Sequence, residues 1–202
     1  MTTRREQTSN ESRELILDAA AELFAEKGYR QTTFHDVAAR SGISRGSIPW
    51  HFGGKEGLLL AVLERSVARV RAGLADAPDA PAPAPDDGEP DFGPFDQGVG
   101  AMFALPTTKL FVTLLVEALE PGSPIRDRYV EIHDTLRDHC RRWLERLPLP
   151  PGLPVEPLAV ALIGAGIGIH QQWLVAPERV DAGAALAALR ALVAGALPPA
   201  HD

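Results

Sequence analysis

The sequence of 202 residues has little of several features, and each shortage excludes a class of protein. Cys140 is its single cysteine, which excludes a disulfide framework within the chain and favours a reducing compartment. The polar first residues lead into no apolar segment of the kind a signal peptide has. The longest apolar stretch, residues 158–169, is shorter than the roughly 20 residues that span a bilayer. We therefore expect a soluble, cytoplasmic protein that does not engage a membrane.

Motifs that carry out catalysis or hold metals are also missing. The six histidines fall at no metal-ligand spacing, and neither G-x-S-x-G nor a phosphate-binding loop occurs. His139 and Cys140 are adjacent on a predicted helix, so their side chains diverge instead of forming a nucleophile–base pair. The glycine-rich run from Gly164 to Gly168 is followed by Ile169 where a dinucleotide fingerprint needs glycine. We expect no enzyme activity, no metal and no cofactor.

The net charge of −7, taken alone, argues against a nucleic-acid partner. However, the charge is unevenly distributed. Residues 1–75 hold 11 basic and 9 acidic side chains, residues 76–96 hold none and 7, and residues 97–202 hold 9 and 11. The excess lies in residues 76–96, which also hold six prolines and are predicted to be an extended linker or loop. DNA binding is therefore compatible with the charge, with a shallow dependence on salt.

Apolar residues recur at helical spacing along most of the chain, and no segment alternates with the period of a strand. The predicted fold is all-α. In the N-terminal part we expect four helices, which begin near Glu11, at Thr33, at Ser44 and at Lys55. The first of these would be capped by Asn10 and would end before Gly28. Beyond the linker we expect helices over 107–119, 125–147, 157–175 and 182–197, the last capped by Asp181.

Residues 34–48 have the layout of a helix-turn-helix. Thr33 and Asp36 have the spacing of a capping box at the start of the first helix. Ala38 is small where the two helices would cross, and Gly42 can adopt the positive φ that the turn requires. On these residues alone, two unrelated short helices of a bundle remain an equal alternative.

The wider segment 12–64 resembles the TetR family of bacterial regulators. The resemblance is carried by short motifs at matching spacing, namely Ala19-Ala20, Leu23-Phe24, Gly28-Tyr29, Thr32-Thr33, Val37-Ala38, Ser41-Gly42-Ile43-Ser44, His51-Phe52 and Lys55-Glu56. It implies a homodimeric DNA-binding regulator, most often a repressor, that is released by a small molecule. The domains expected are a DNA-binding domain over 1–54, a connecting helix over 55–75, the loop over 76–96, and an effector and dimerisation domain over 97–202.

The resemblance also implies which residues meet DNA. The start of the recognition helix would face base edges, with Arg45 as its one long donor, suited to a bidentate contact with guanine. Pro49 stands where the family usually has tyrosine, and it should make the start of this helix irregular. The expected DNA contacts are Thr33, Ser44, Arg45, Gly46, Ser47, Trp50, His51 and Lys55. A packed core or surface role remains the alternative for Trp50, His51 and Lys55.

The C-terminal part would hold the effector and the dimer interface. An apolar pocket with a few polar groups would suit a lipophilic effector, although a core role is the stronger interpretation for each candidate lining residue. These candidates are Phe103, Thr108, Phe111, Tyr129, His133, Cys140, Trp143, His170 and Trp173. Small residues that would let helices of two copies pack closely are Gly164, Gly168, Ala184, Ala188 and Ala191. The alternative function is a DNA-binding dimer with no effector.

Overall fold

A computed structural model describes residues 4–75, 92, 93, 95, 96, 100 and 108–198, and within them the regular structure is entirely helical. The prediction of an all-α fold is confirmed. Phe103 and most of the predicted loop over 76–96 lie outside the described residues. The helices are α1 (Arg4–Lys27), α2 (Phe34–Ser41), α3 (Ser47–Phe52), α4 (Lys55–Ala75), α5 (Thr108–Thr113), α6 (Leu115–Leu119), α7 (Arg126–Leu144), α8 (Val155–Val175) and α9 (Ala182–Gly195).

Helix α1 begins seven residues before the predicted start at Glu11. Residues 4–10 contain neither proline nor glycine, so nothing in them stops a helix from extending towards the N-terminus. Asn10 therefore lies inside α1, and the prediction that it caps the helix is wrong. Ser12 Oγ donates to the carbonyl of Thr8, four residues earlier, which accommodates the hydroxyl within the helix. The end was predicted correctly, with Gly28 at φ 84° just after Lys27.

Two further helix predictions need correction. The expected helix over 107–119 is divided at Leu114, whose ψ of −1° departs from the helical value between α5 and α6. The hydroxyl of Thr113 donates to the carbonyl of Leu110 at 3.0 Å, and such a bond bends a helix. The helix expected over 125–147 ends earlier, at Leu144, well before the prolines that follow. The cap at Asp181 is confirmed, since its carboxylate accepts from the N–H of Ala184.

The described residues divide into two units. The first contains residues 4–69 and 108–130, and the second contains residues 70–75, the described residues between 92 and 100, and 131–198. Residues 108–130, which the sequence placed in the effector domain, thus group with α1–α4. The functional domain boundaries remain a prediction.

The first unit has a dense apolar core that positions the short helices α2 and α3. Ile16, Leu17, Ala20 and Phe24 of α1 are almost fully buried, at positions that helical spacing places on one side of the helix. The same core includes Val37 of α2, Ile48 of α3, and residues of α4–α7 and the turns beside them: Leu58, Val62, Leu63, Leu110, Leu114, Ile125 and Tyr129. Burial of this kind, at roughly 25 cal/mol per Å² of apolar surface, stabilises helices that are too short to form alone.

The second unit is built around Trp143. Its ring lies 5.5 Å from that of Phe92 and 5.4 Å from that of Phe95, centroid to centroid. Cys140 and Leu144 of α7 and Ala159 and Leu162 of α8 complete this core, with Leu189 and Val193 of α9 packed against it. An ion pair of 2.6 Å between Arg190 and Asp96 joins α9 to the segment that carries Phe95.

Among the described helices, α8 is long and apolar enough to cross a membrane by length and composition. The prediction that no segment reaches this length is corrected, because it counted only an unbroken apolar run. Core helices of globular proteins meet the same criterion, and Ala159, Leu162, Gly166 and His170 of α8 are buried within the unit.

Candidate nucleic-acid interface

Helices α2 and α3 form the predicted helix-turn-helix. Helix α2 carries the predicted capping box at Thr33 and ends at Gly42, which has φ 72° and donates its N–H to the carbonyl of Ala38 at 3.0 Å. Val37 and Ile48 are both fully buried and attach the two helices to the same core. One face of α3 is thereby fixed, and its remaining residues are left on the surface.

The predicted recognition residues lie at the start of α3, although the helix itself begins later than expected. Its first residue is Ser47, so Ser44 does not cap it directly. Ser44 instead accepts the N–H of Ser47 on its carbonyl at 3.0 Å, and the two hydroxyls are 2.7 Å apart. Ser44, Arg45 and Gly46 are exposed in the turn that precedes the helix. Arg45 makes no ion pair with any residue that the structure describes.

The late start of α3 accounts for Pro49. A proline lacks an N–H, and the first turn of a helix needs no such donor. Because α3 begins at Ser47, Pro49 falls in that first turn and removes no helical hydrogen bond, and the irregular start expected for this helix takes the form of a turn at Arg45 and Gly46. The carbonyl of Pro49 accepts from the N–H of Gly53 at 2.7 Å, which closes the short helix. The predicted recognition helix therefore starts at Ser47 instead of at Ser44.

Trp50 and His51 project from α3 beside one another. The ring of Trp50 is 74% exposed and its centroid lies 4.6 Å from that of His51. Burial, followed by the positive charge of Arg13, lowers the pKa of His51 below its usual value. This shift favours the neutral imidazole, which offers one N–H donor. Arg13 lies 5.4 Å from the centre of the Phe52 ring, a cation–π contact between α1 and the end of α3.

Lys55 is the most firmly positioned of the predicted phosphate contacts. It is half-buried at the start of α4, where its Nζ donates to the carbonyl of Arg30 at 3.0 Å. The same ammonium lies 4.6 Å from the centre of the Tyr29 ring. Two of its three donors are left for another acceptor, and the helix N-terminus adds partial positive charge.

Thr33 behaves differently, because its own capping box occupies its donors. The backbone N–H and the hydroxyl of Thr33 both donate to Oδ2 of Asp36 at 2.7 Å. Lys27 forms an ion pair with the same carboxylate at 2.8 Å. These bonds hold the pKa of Asp36 well below its usual range, and the bond from Lys27 makes the largest contribution. A phosphate would have to displace this carboxylate to bond Thr33.

Gly57 is a structural determinant that the sequence interpretation missed. A Cβ at this position would lie 2.0 Å from the backbone carbonyl oxygen of Phe52, far closer than carbon and oxygen can approach. Only glycine therefore allows α4 to pass the end of α3 at this distance. A glycine in the first turn of a helix, where nothing else disfavours alanine, is the signal that could have identified it. Beside Gly46, in contrast, a Cβ would meet no described atom within 4 Å.

The predicted effector residues fall in both units. In the first, Thr108 is half-buried, and the hydroxyl of Tyr129 donates to the carbonyl of Phe111, with the two rings 5.2 Å apart. Burial, then the charge of Glu117, raises the pKa of Tyr129. In the second, Cys140 and Trp143 belong to the aromatic core, and burial raises the pKa of Cys140 to about 12. His133 is half-buried, and His170 is buried 5.9 Å from the Trp173 ring.

The predicted dimer residues lie on apolar surface. Gly164, Ala184, Ala188 and Ala191 are exposed and Gly168 is partly exposed. Val175 is 86% exposed and Leu192 is 73% exposed on the same two helices. Among the described residues, no group of three or more His, Cys, Asp or Glu side chains could hold a metal ion.

The chain matches a family model over its N-terminal part and individual regulators over most of its length. Residues 16–62 match the family model described as "Bacterial regulatory proteins, tetR family". Over 200 residues the chain is 28% identical to the HTH-type transcriptional regulator TtgR of Pseudomonas putida, covering 90% of this chain and 89% of that protein. The match to the family model contains α2, α3 and the residues described above as candidate DNA contacts.

Solved structures share the fold along nearly the whole chain. A TetR transcriptional regulator from Chloroflexus aurantiacus J-10-FL covers 93% of this chain and 96% of its own, with a TM-score of 0.76 and 22% identity. A structure concerned with the control of antibiotic production by bacterial hormones covers 92% of this chain and 96% of its own, with a TM-score of 0.72 and 26% identity.

Proposed function

Since this chain belongs to the TetR family of bacterial transcriptional regulators, we propose that it is a ligand-responsive repressor. It binds a pseudo-palindromic operator as a homodimer in the cytoplasm, and a small lipophilic molecule releases it. The observation that carries this proposal is the surface at the start of α3 and α4. Arg45 is exposed there, in the same unit as Lys55. The side chain of Lys55 is positioned by the hydrogen bond that it donates to the carbonyl of Arg30.

The division of labour on this surface follows from side-chain chemistry. Arg45 supplies the fork of donors that matches the O6 and N7 acceptors of guanine in the major groove. Lys55 supplies a point charge to a phosphate, which fixes the position of the protein without reading sequence. Ser44, Gly46, Ser47, Trp50 and His51 provide uncharged contacts around these two. Thr33 contributes mainly through the stability of α2, because Asp36 already accepts from both of its donors.

The homodimer is supported by the apolar surface of α8 and α9. Val160, Val175 and Leu192 are exposed in the single chain, and the small residues between them allow close helix packing. Exposed apolar surface of this extent on two neighbouring helices is typical of a protein interface. A two-fold dimer would present two copies of α3, so the operator half-sites should lie about 34–36 Å apart or at a multiple of that spacing.

Effector control is supported by the aromatic content of the second unit and by a polar connection within the first. Arg30, whose carbonyl holds Lys55, forms an ion pair of 2.9 Å with Glu117 of α6. A movement of α6 would therefore bear on the residue that positions the phosphate-binding lysine. The aromatic groups around Trp143, together with His133, His170 and Trp173, would provide the apolar contacts and the few polar groups of an effector site.

Selection of bound sequences from random double-stranded DNA tests the regulator as a whole. We expect a two-fold symmetric site, and a footprint without such symmetry would contradict the dimer. A screen of small apolar molecules should then find compounds that raise the melting temperature of the protein and weaken its binding to the selected site. The effector part of the proposal fails if no compound does both.

The second candidate is a DNA-binding dimer without an effector. One observation favours it: the space around Trp143 is occupied by the protein's own Phe92 and Phe95. The same screen distinguishes the two candidates. An effector-free regulator would bind the selected operator with an affinity that no compound in the screen changes.

A further inference from the structure

We propose that the N-terminal turns of α1 form a second DNA-contacting wall, opposite α3, and that the phosphate backbone of the operator lies in the groove between them. This inference rests on the proposed function, since it assumes that the start of α3 faces DNA. It adds residues of α1 that lie outside the helix-turn-helix and before residue 16, where the match to the family model begins.

The groove has a volume of about 720 Å³ and is open to the surface. Residues of α1 line one side, and residues of the turn before α3 and of α3 itself line the other. The lining consists of Thr8, Ser9, Ser12, Ser44, Gly46, Ser47, Trp50 and His51. Five of these eight carry hydroxyl groups, one is an indole and one is an imidazole, and none carries a carboxylate.

This chemistry fits a phosphodiester backbone. Hydroxyl, indole and backbone N–H groups are uncharged donors, and such donors supply many of the protein's contacts to phosphate oxygens. His51 adds a neutral N–H, because burial and Arg13 lower the pKa of its imidazole. A metal cation would need carboxylates, and the lining has none. The groove is also continuous with the proposed base-reading surface, since five of its residues belong to that surface.

The early start of α1 creates the wall. A helix beginning at Glu11 would have left Thr8 and Ser9 in an arm with no fixed position. In the structure they are helical, and spacing of one and four residues places Thr8, Ser9 and Ser12 on adjoining parts of one face. Ser12 Oγ donates to the Thr8 carbonyl at 2.9 Å. Because the Ser12 hydroxyl already donates to that carbonyl, we take Ser9, which is half-buried, as the hydroxyl best placed for a phosphate contact.

A pair of charge substitutions on α1 tests the proposal. Ser9→Glu places a carboxylate in the groove, whereas Asn10→Glu adds the same charge at the next residue, which is exposed and does not line the groove. Binding to the operator selected by the wild-type protein is measured by fluorescence anisotropy. We expect Ser9→Glu to weaken binding at least tenfold and Asn10→Glu less than threefold, because only the first carboxylate would lie against a phosphate.

Ethylation interference supplies a second measurement that does not depend on a charged variant. Wild-type protein should show interference at phosphates flanking each half-site that Ser9→Ala together with Ser12→Ala relieves. Equal losses for the two glutamate variants, or an interference pattern unchanged by the alanine pair, would overturn the proposal while leaving the regulator function intact. If the wild-type protein selects no DNA, the proposed function itself has failed, and the two failures are thus distinguishable.

Discussion

Helices α1–α3 of the first unit bury their apolar residues more completely than α8 and α9 of the second unit do. In the first unit, the rest of the unit covers Ile16, Leu17, Ala20 and Phe24 of α1, Val37 of α2 and Ile48 of α3. In the second, α9 has no buried residue, and α8 leaves Val160 and Val175 exposed. The helices that carry the candidate DNA contacts are therefore anchored within one chain, whereas α8 and α9 present a surface that a second copy of the chain would cover in the proposed dimer. DNA recognition and assembly would then reside in different units.

The candidate DNA surface and the surface of α8 and α9 also differ in their polar groups. In the first unit Lys55, Arg30 and Glu117 form a connected set, as do Thr33, Asp36 and Lys27. Such sets fix side-chain positions before any DNA binds, which lowers the entropy cost of binding. The corresponding surface of α8 and α9 offers almost only apolar and small side chains, suited to close packing against an identical surface.

The largest effect should come from a charge on the apolar surface of the second unit. Leu192→Glu replaces a side chain that is 73% exposed, so the isolated chain should fold as before. Buried in a dimer interface, the carboxylate would be desolvated, and we expect the protein to become monomeric and operator affinity to fall more than about 100-fold. Sedimentation equilibrium and anisotropy measure the two effects.

A matched substitution makes that test specific. Ala72→Glu adds the same charge at an exposed alanine of α4 in the same unit. It should leave both the oligomeric state and operator affinity nearly unchanged. If Leu192→Glu remains a dimer with full affinity, the apolar surface of α8 and α9 is not the dimer interface.

Removal of Arg45, the proposed base-reading residue, should have the next largest effect. Arg45→Ala should weaken binding to the selected operator by about 1–3 kcal/mol and leave binding to random DNA largely unchanged. Lys109→Ala removes an exposed cation of the same unit far from α3 in sequence and serves as the control. Equal weakening on both kinds of DNA would show that Arg45 contacts phosphate only.

Some features of the first unit could be predicted from the sequence and others could not. The capping box at Thr33, the turn at Gly42 and the start of α4 at Lys55 were predictable, because each depends on a local residue preference. The start of α1 was not, since polar residues that often cap helices can equally lie inside one. Gly57 escaped because its role depends on the carbonyl of Phe52, a contact that no periodicity reveals.

The candidate site was predictable to a similar degree. The family resemblance indicated Arg45 and Lys55 as candidate DNA contacts, which remain predictions, but not the carbonyl of Arg30 that accepts from the lysine. It also gave Thr33 as a phosphate contact without showing that Asp36 accepts from both donors. Pairings of this kind depend on side-chain geometry, which spacing along the chain does not determine.

Two glycines of α4 should respond in opposite directions to the same substitution. Gly57→Ala forces a Cβ against the Phe52 carbonyl, and we expect it to destabilise the protein by about 1–3 kcal/mol. Gly73→Ala, in the second unit, meets no described atom within 4 Å and should stabilise the helix by about 0.5–1 kcal/mol. Urea unfolding measures both, and stabilisation by Gly57→Ala would contradict the close approach of α3 and α4.

Thr33→Ala should affect stability more than DNA affinity. Loss of the cap should cost about 1 kcal/mol in urea unfolding at pH 7, with a change in affinity of less than about threefold, because both donors of Thr33 serve Asp36. Since the pKa of Asp36 is lowered in the folded state, its contribution is present above the unfolded pKa and is lost as the pH falls below that value. Asp36→Asn should therefore show a weaker loss of stability on acidification. A large loss of affinity with unchanged stability would instead make Thr33 a direct contact.

The smallest effect concerns the ion pair between Arg30 and Glu117. The Arg30 side chain is 78% exposed, so solvent screens the pair and we expect a coupling of only about 0.2–1 kcal/mol in a double-mutant cycle of Arg30→Gln and Glu117→Gln. The informative readout is operator affinity, because Arg30 also holds Lys55 through its carbonyl. A coupling in affinity as large as that in stability would support transmission from α6 to Lys55, the proposed phosphate contact. Coupling in stability with none in affinity would confine the pair to holding the first unit together, and effector release would then have to reach α3 by another route.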